Sequence, residues 1–176
     1  MSSRTAPSGQ IPRFDAVIAL PFGRLGMICS DQEVLRLDYL PPDAPLKPPT
    51  QAQCRAVAAQ LQAYCEDPGF VFDLPLAAVG TAFQRRVWAL LRQIPPGCTR
   101  SYGDAARQLH SAARAVGQAC AANPFAPVVP CHRIVARRGL GGFAHSTAED
   151  GYLLGIKRWL LTHERRGFAP ALLPDG

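Results

Sequence analysis

The chain has 176 residues, 48% of them apolar, and 19 Lys+Arg against 13 Asp+Glu give a formal net charge of +6. That length and apolar share suit one large or two small globular domains with a real core, and exclude a disordered or low-complexity chain. The apolar run at 14–22 is broken by Asp15 and Pro21, and the six cysteines form no C-x-x-C pair, so the expectation is neither a signal peptide, a membrane span nor a zinc framework, but free thiols in a reducing cytoplasm.

Phe14–Leu20 and Leu25–Cys29 alternate as strands around a turn at Pro21-Phe22-Gly23, and 33–40 continues the pattern. Prolines at 41, 42, 45, 48 and 49 mark a loop. Thr50 with Gln53 has the form of a capping box, and Cys54, Val57, Ala58, Leu61 and Tyr64 recur at helical spacing up to Asp67-Pro68-Gly69. Phe70–Leu76 reads as extended or irregular.

The second half is mainly helical. Thr81 with Gln84 is another capping box, and Phe83, Val87, Leu90, Leu91 and Ile94 line one helix face before Pro95-Pro96-Gly97. A helix at 102–109, capped by Ser101 with Asp104, and another at 112–122, opened by Ser111, read as a helix-turn-helix or an ordinary helical hairpin. Val128-Val129 reads as a short buried strand that Pro130 ends. Glycines 139, 141 and 142 make a loop, and a last helix runs from about 150 to 163 with Leu153, Ile156, Trp159 and Leu160 inward. The expected architecture is α/β (α+β): a tail at 1–13, a strand-rich support domain with one helix at 14–78, a mainly helical domain at 79–166 and a tail at 167–176.

Charge separates the two halves. Residues 1–80 carry a net −2 and residues 81–176 a net +8, nearly all of it arginine. A basic half fits a polyanionic partner, or an arginine-rich solvated surface. Within it, Val128–Val135 holds Cys131 between a rigid proline and His132-Arg133. A thiol becomes a nucleophile when a base or positive charge stabilises its thiolate. Alone, the stretch reads first as a small buried cysteine at a strand end. The helix at 112–122 places one long cation, Arg114, among very small residues, which lets a helix axis approach either a nucleic-acid groove or another helix closely.

Taken together and in order, Phe83–Trp88, Ser101-Tyr102-Gly103, Arg114–Gly117, Asn123-Pro124, Val129–Arg133, Gly142-Phe143 and Lys157–Glu164 resemble the O6-alkylguanine-DNA alkyltransferase family, also called methylated-DNA–protein-cysteine methyltransferases. The resemblance covers residues 81–164 strongly and the first half only in its strand-then-helix pattern. It implies direct-reversal repair of double-stranded DNA. O6-alkylguanine, and O4-alkylthymine, would be flipped out of the duplex and the alkyl group moved irreversibly to Cys131 in one turnover. It implies His132 as a base acting through water, Glu164 as the carboxylate orienting it, and Tyr102 as an aid to flipping and a donor to the leaving guanine. Arg114 would fill the vacated stack. Ala113, Ala115 and Gly117, with Ser101 and Tyr102, would meet DNA in the minor groove. Asn123 would join the helix-turn-helix to the active-site loop, with Pro130, Ile134, Phe143 and Ala144 in the guanine pocket. It implies no cofactor, no metal and no membrane, a monomer with cooperative DNA binding left open, and a bacterial-type cytoplasmic, nucleoid-associated location. The loop at 143–150 is longer than the family's usual one and lacks its second glycine pair. Rival readings are a cysteine hydrolase using Cys131 and His132, a non-catalytic lesion binder, and a helix-turn-helix protein with an incidental cysteine.

Overall fold

The computed structural model describes residues 13–143 and 151–167. The expected tails therefore lie outside the described residues except for Arg13 and Gly167, and so do Ala144 and the loop at 143–150 except for Phe143.

The alternation near the start produces β1 (Ala16–Leu20), β2 (Gly23–Cys29) and β3 (Val34–Leu40), an antiparallel sheet in the order β1-β2-β3. Leu25 and Met27 face inward and are fully buried. Gly26 lies under Phe14: a Cβ there would sit 2.7 Å from the ring, so any other residue would force the ring to move. Helix α1 (Ala52–Glu66) covers the sheet with Cys54, Val57, Leu61 and Tyr64. Its expected Thr50–Gln53 capping box does not form. The N-cap is Gln51, without a side-chain bond. The Gln53 amide is drawn away, donating to the Gln32 carbonyl at 3.1 Å. A tertiary tether outcompetes the local one.

The second capping box is as expected. Helix α2 (Ala82–Gln93) starts with Thr81 Oγ1 accepting from Gln84 N at 3.1 Å and Gln84 Oε1 accepting from Thr81 N at 2.9 Å. Trp88 joins the buried face, and its indole donates to Ala119 O at 2.8 Å, pinning α2 to α4 (Ala113–Ala121). Gly80, at φ +93°, packs so close to the Trp88 ring that a Cβ would sit 2.6 Å away.

Between them, β4 (Arg100–Ser101) leads into α3 (Tyr102–Gln108), which Ser101 caps by accepting from Asp104 N at 3.0 Å. Helices α3 and α4 are two short helices packed together across a tight turn. Ser111 does not open α4. Its N–H donates to Ala106 O at 2.9 Å to close the turn, and Ala112 is an N-cap without a side-chain bond.

Val128 and Val129 are buried, as expected, but form a turn, with Val129 N donating to Phe125 O at 2.9 Å. Pro127 and Pro130 bring no N–H to a ladder, so this apolar run has no strand to join. The strand comes after the cysteine: Cys131–Arg133 form a 3₁₀ turn, and β5 (Ile134–Val135) pairs parallel with β4. The last helix, α5 (Tyr152–Gly167), runs past the expected end at 163 and so carries Glu164. It buries Leu154, Ile156, Leu160 and Leu161, with Leu153 only partly buried.

One hydrophobic cluster runs from β1 to α5 through both halves of the chain. The edge of β3 also touches the loop before Cys131 directly, with Leu37 N donating to Pro124 O at 2.8 Å. The strand-rich half is thereby fastened to the stretch that carries Cys131. Among the described residues, no helix is long and apolar enough to cross a membrane.

Candidate active site

Cys131 opens the 3₁₀ turn and is 6% exposed. Burial pushes its thiol pKa up, and the opposing influences are a hydrogen bond from Asn123, the charge of Lys157 and a backbone hydrogen bond. Cys29 and Cys120 are also buried, and burial pushes both up to about 12. Cys131 differs from Cys29 in having a cation and an amide that favour its thiolate.

Asn123 holds the loop. Its Nδ2 donates to Val129 O at 2.8 Å, and its Oδ1 accepts from Phe125 N at 3.0 Å. One side chain thus ties the end of α4 to the turn before Cys131.

His132 and Glu164 meet inside the protein, from the 3₁₀ turn and α5. Their side chains are 1% and 0% exposed, and His132 Nε2 lies 2.8 Å from Glu164 Oε1. Burial works to raise the Glu164 carboxyl, but hydrogen bonds from His132 and Arg133, with the positive charge of Arg133, hold it well below the usual carboxylate range. Glu164 is therefore an anion and must accept. Burial lowers the His132 pKa despite Glu164, so the ring is neutral at pH 7. A neutral ring that donates through Nε2 carries its lone pair on Nδ1. That Nδ1 is buried and has no hydrogen-bond partner among the protein's atoms. It is a base with its acceptor free.

Glu164 has three further donors that the sequence did not announce. Tyr64 OH donates at 2.8 Å, Arg133 Nη2 at 2.8 Å and Gly97 N at 3.3 Å. Arg133 also donates through Nε at 3.1 Å and to Ile94 O at 2.6 Å. Read alone, Tyr64 is a core aromatic of α1 and Arg133 a positive neighbour of the thiol. A signal for Lys157 and Glu164 did exist: both charges interrupt the apolar stripe of α5 at positions where Leu154, Leu160 and Leu161 are buried.

Lys157 is fully buried, and its ammonium donates to Leu140 O at 2.7 Å and Gly142 O at 3.0 Å. Burial lowers its pKa to about 8, opposed by Cys131 and Cys120. Tyr102 OH donates to the same Gly142 carbonyl at 3.1 Å, and Lys157 Nζ lies 5.9 Å from the Tyr102 ring centre. Burial raises the Tyr102 phenol to about 12, which keeps it a donor at neutral pH.

A cavity of about 560 Å³ opens beside the thiol, lined by Cys131, Cys120, Asn123, Tyr39, Tyr152 and Leu153 among others. Of the residues expected around a base pocket, Asn123 lines this cavity. Pro130 lines a different groove with Ile94 and Arg133. Ile134 and Phe143 are buried in the core, and Ala144 lies outside the described residues.

On the outer face, Ala113 and Arg114 are exposed in the first turn of α4, while Ala115 and Gly117 are half-buried. A Cβ on Gly117 would meet only the Tyr102 ring, at 3.8 Å, an ordinary contact. The fold itself does not require glycine there. The Ser101 hydroxyl is engaged in capping α3 and donates to Asp104 Oδ2 at 2.6 Å. Among the described residues, no group of three or more His, Cys, Asp or Glu is placed to hold a metal ion.

Residues 82–166 match the family model described as "6-O-methylguanine DNA methyltransferase, DNA binding domain". A methylated-DNA–protein-cysteine methyltransferase of Shigella flexneri is 48% identical over 95 residues, which is 52% of this chain and 51% of that protein. The chain thus spans about half the length of that relative. The enzyme of the same name from Methanosarcina acetivorans is 42% identical over 113 residues, 62% of this chain and 68% of that protein. In three dimensions, the Mycobacterium tuberculosis OGT crystallised in complex with DNA superposes with a TM-score of 0.69 at 35% identity, covering 86% of this chain and 92% of that one.

Proposed function

The chain belongs to the methylated-DNA–protein-cysteine methyltransferase family, and from that membership and the geometry around Cys131 we propose that it repairs alkylated DNA by taking the alkyl group onto its own thiol. The substrate is O6-alkylguanine in duplex DNA, with O4-alkylthymine as a second lesion. The observation that carries the reading is the buried thiol beside a neutral imidazole whose Nε2 is committed to Glu164 and whose Nδ1 is free.

The steps follow from the chemistry. Guanine O6 is stacked in the duplex, so the nucleotide is turned out at a cost of a few kcal/mol. Arg114 enters the vacated stack, and the small face of α4 allows close approach in the minor groove. The Cys131 proton passes through one water to His132 Nδ1, and Glu164 steadies the imidazolium. Lys157 and Asn123 favour the thiolate while it exists. The thiolate attacks the alkyl carbon, a carbon–sulfur bond forms and the carbon–O6 bond breaks. Tyr102 gives a proton to the guanine as it leaves, so that it does not depart as a free anion, and solvent reprotonates Tyr102 as the imidazolium of His132 releases the proton it took from Cys131. The thioether is not reversed by thiol exchange, so each molecule acts once. The protein acts as a monomer on DNA in the cytoplasm, and its binding weakens steeply with salt as arginines displace counterions.

The test is the intact mass of the protein after incubation with duplex DNA containing O6-methylguanine. One methyl increment per chain, located on Cys131, is expected. Continued turnover, or tight binding with no increment, overturns the proposal.

Arg114→Ala separates flipping from chemistry. It is expected to slow transfer from duplex by at least about tenfold while attack on free alkylated guanine changes less than about twofold. Equal losses in the two assays would remove Arg114 from its assigned place.

Lys157 sets the alkaline side of the pH profile. As pH rises through about 8 its ammonium loses the proton, and the thiolate loses its stabilising charge. Single-turnover rates are expected to fall above that pH in the natural chain. Lys157→Met should be slow throughout and show no such fall. The linkage has the opposite sign for folding: the folded chain binds fewer protons than the unfolded one between about 8 and 10.5, so stability rises with pH across that range.

A further inference from the structure

Two buried polar side-chain atoms among the described residues have no hydrogen-bond partner: His132 Nδ1 and the hydroxyl of Tyr39. The first is the base of the proposed relay. The second comes from β3, in the half of the chain that carries none of the assigned chemistry. A sealed hydroxyl without a partner costs about 1–3 kcal/mol, so its place calls for a reason.

Strand geometry supplies one. Tyr39 is two residues beyond Leu37, so both side chains point to the same face. Leu37 is buried, and its backbone N–H binds Pro124 O in the loop before Cys131. Tyr39 therefore shares the inward face of β3 with Leu37, on a strand whose edge is fastened to that loop. It lines the cavity that Cys131 lines, and its ring lies 5.4 Å from that of Phe143. The groups that bear on its hydroxyl are, in order, Cys131, Tyr64 and Glu164, reaching it from the 3₁₀ turn, α1 and α5. Around Cys131 itself stand Asn123, Lys157 from α5 and Cys120 from α4. The Tyr64 hydroxyl is already committed to Glu164. Tyr39 is thus the one of the two tyrosines whose hydroxyl proton is uncommitted.

We propose that Tyr39 is a positioning residue of this site, its hydroxyl completing with His132 Nδ1 and Cys131 the seat of the water that relays the thiol proton. This rests on the relay proposed above and adds to it the third contact that a buried water normally has. The sulfur–hydrogen bond breaks, its proton goes to the water, and the water passes one of its own to Nδ1. The electron pair stays on sulfur, and Tyr39 is unchanged at the end.

Tyr39→Phe in the full chain removes only the oxygen. Because that oxygen has no protein partner, the melting temperature and the Kd for lesion-bearing duplex should hold. Transfer from both duplex and free alkylated guanine should slow about tenfold, since the relay serves both. Iodoacetamide alkylation of Cys131, followed by peptide mass across pH, should show its apparent pKa displaced upward. A merely structural role would move stability or Kd and leave that profile alone. Unchanged rates with an unchanged profile would overturn the proposal, as would a rate loss matched by a loss of stability. The iodoacetamide profile involves no DNA, so it judges Tyr39 even if the natural chain transferred no alkyl group.

Discussion

Glu164→Ala is expected to lower the melting temperature by roughly 10 °C and to slow alkyl transfer by about two orders of magnitude or more. The stability loss comes from what is left behind. Tyr64, His132, Arg133 and Gly97 all donate to this one carboxylate inside the protein. Removing it strands a guanidinium whose residue is 9% exposed, and stranding one partner of a buried pair costs about 3–5 kcal/mol. At about 2–4 °C per kcal/mol for a chain of this size, that reaches the stated shift. The rate loss has a separate cause. Without the anion nothing fixes the Nε2–H tautomer, and Nδ1 ceases to be reliably the acceptor. Glu164→Gln combined with Arg133→Met tests the separation: it removes both charges, so stability should largely return while the rate does not. Acid titration adds a sign. The Glu164 carboxyl titrates below its ordinary range, so its contribution to folding is complete above the free-glutamate value of 4.5 and is lost progressively as pH falls from there toward its lower folded-state range. An acid-induced stability loss below about 4.5 that is just as steep in the double variant would contradict this.

That network also shows where a sequence stops being legible. Thr81 and Gln84 form their capping box because both partners sit within one turn and nothing competes. Thr50 and Gln53 have the same pattern, and it fails because the Gln53 side chain is turned to donate to the Gln32 carbonyl, remote in sequence. Val128-Val129 has the composition of a strand, yet the prolines on either side leave it a buried turn, and the ladder forms beyond Cys131 at Ile134–Val135. The order of Cys131, His132 and Glu164 is readable because the motif is long and specific. Tyr64 and Tyr39 are not, because their hydroxyls matter only once β3 and α1 are folded against α5. Alternation records that a tyrosine faces inward; it does not record what its oxygen meets. The first half of the chain, expected only to support, therefore holds both tyrosines that bear on the relay.

Cys131→Ala is expected to abolish the methyl increment completely while leaving lesion binding within about twofold of the natural chain. The argument rests on how little else the thiol does. It is small and buried, and the fold's fixed points nearby are Asn123, which binds Val129 O and Phe125 N, and the Arg133–Glu164 pair. None of these needs the sulfur, so the cost to stability should be near 1 kcal/mol, as for a small truncation in a core. Affinity for duplex comes from Arg114 and the basic half, which the substitution does not touch. Cys131→Ser sharpens the point. A hydrolase built on Cys131 and His132 would keep some turnover with a hydroxyl, because a neighbouring base activates serine in such sites. Attack on an alkyl carbon draws on the thiolate, and His132, neutral with a lowered pKa, is a weak base for a hydroxyl. The serine variant should therefore bind the lesion and leave it intact. Released product from either variant would contradict alkyl transfer, and weakened binding by the alanine variant would show that the thiol contributes to recognition as well as to reaction.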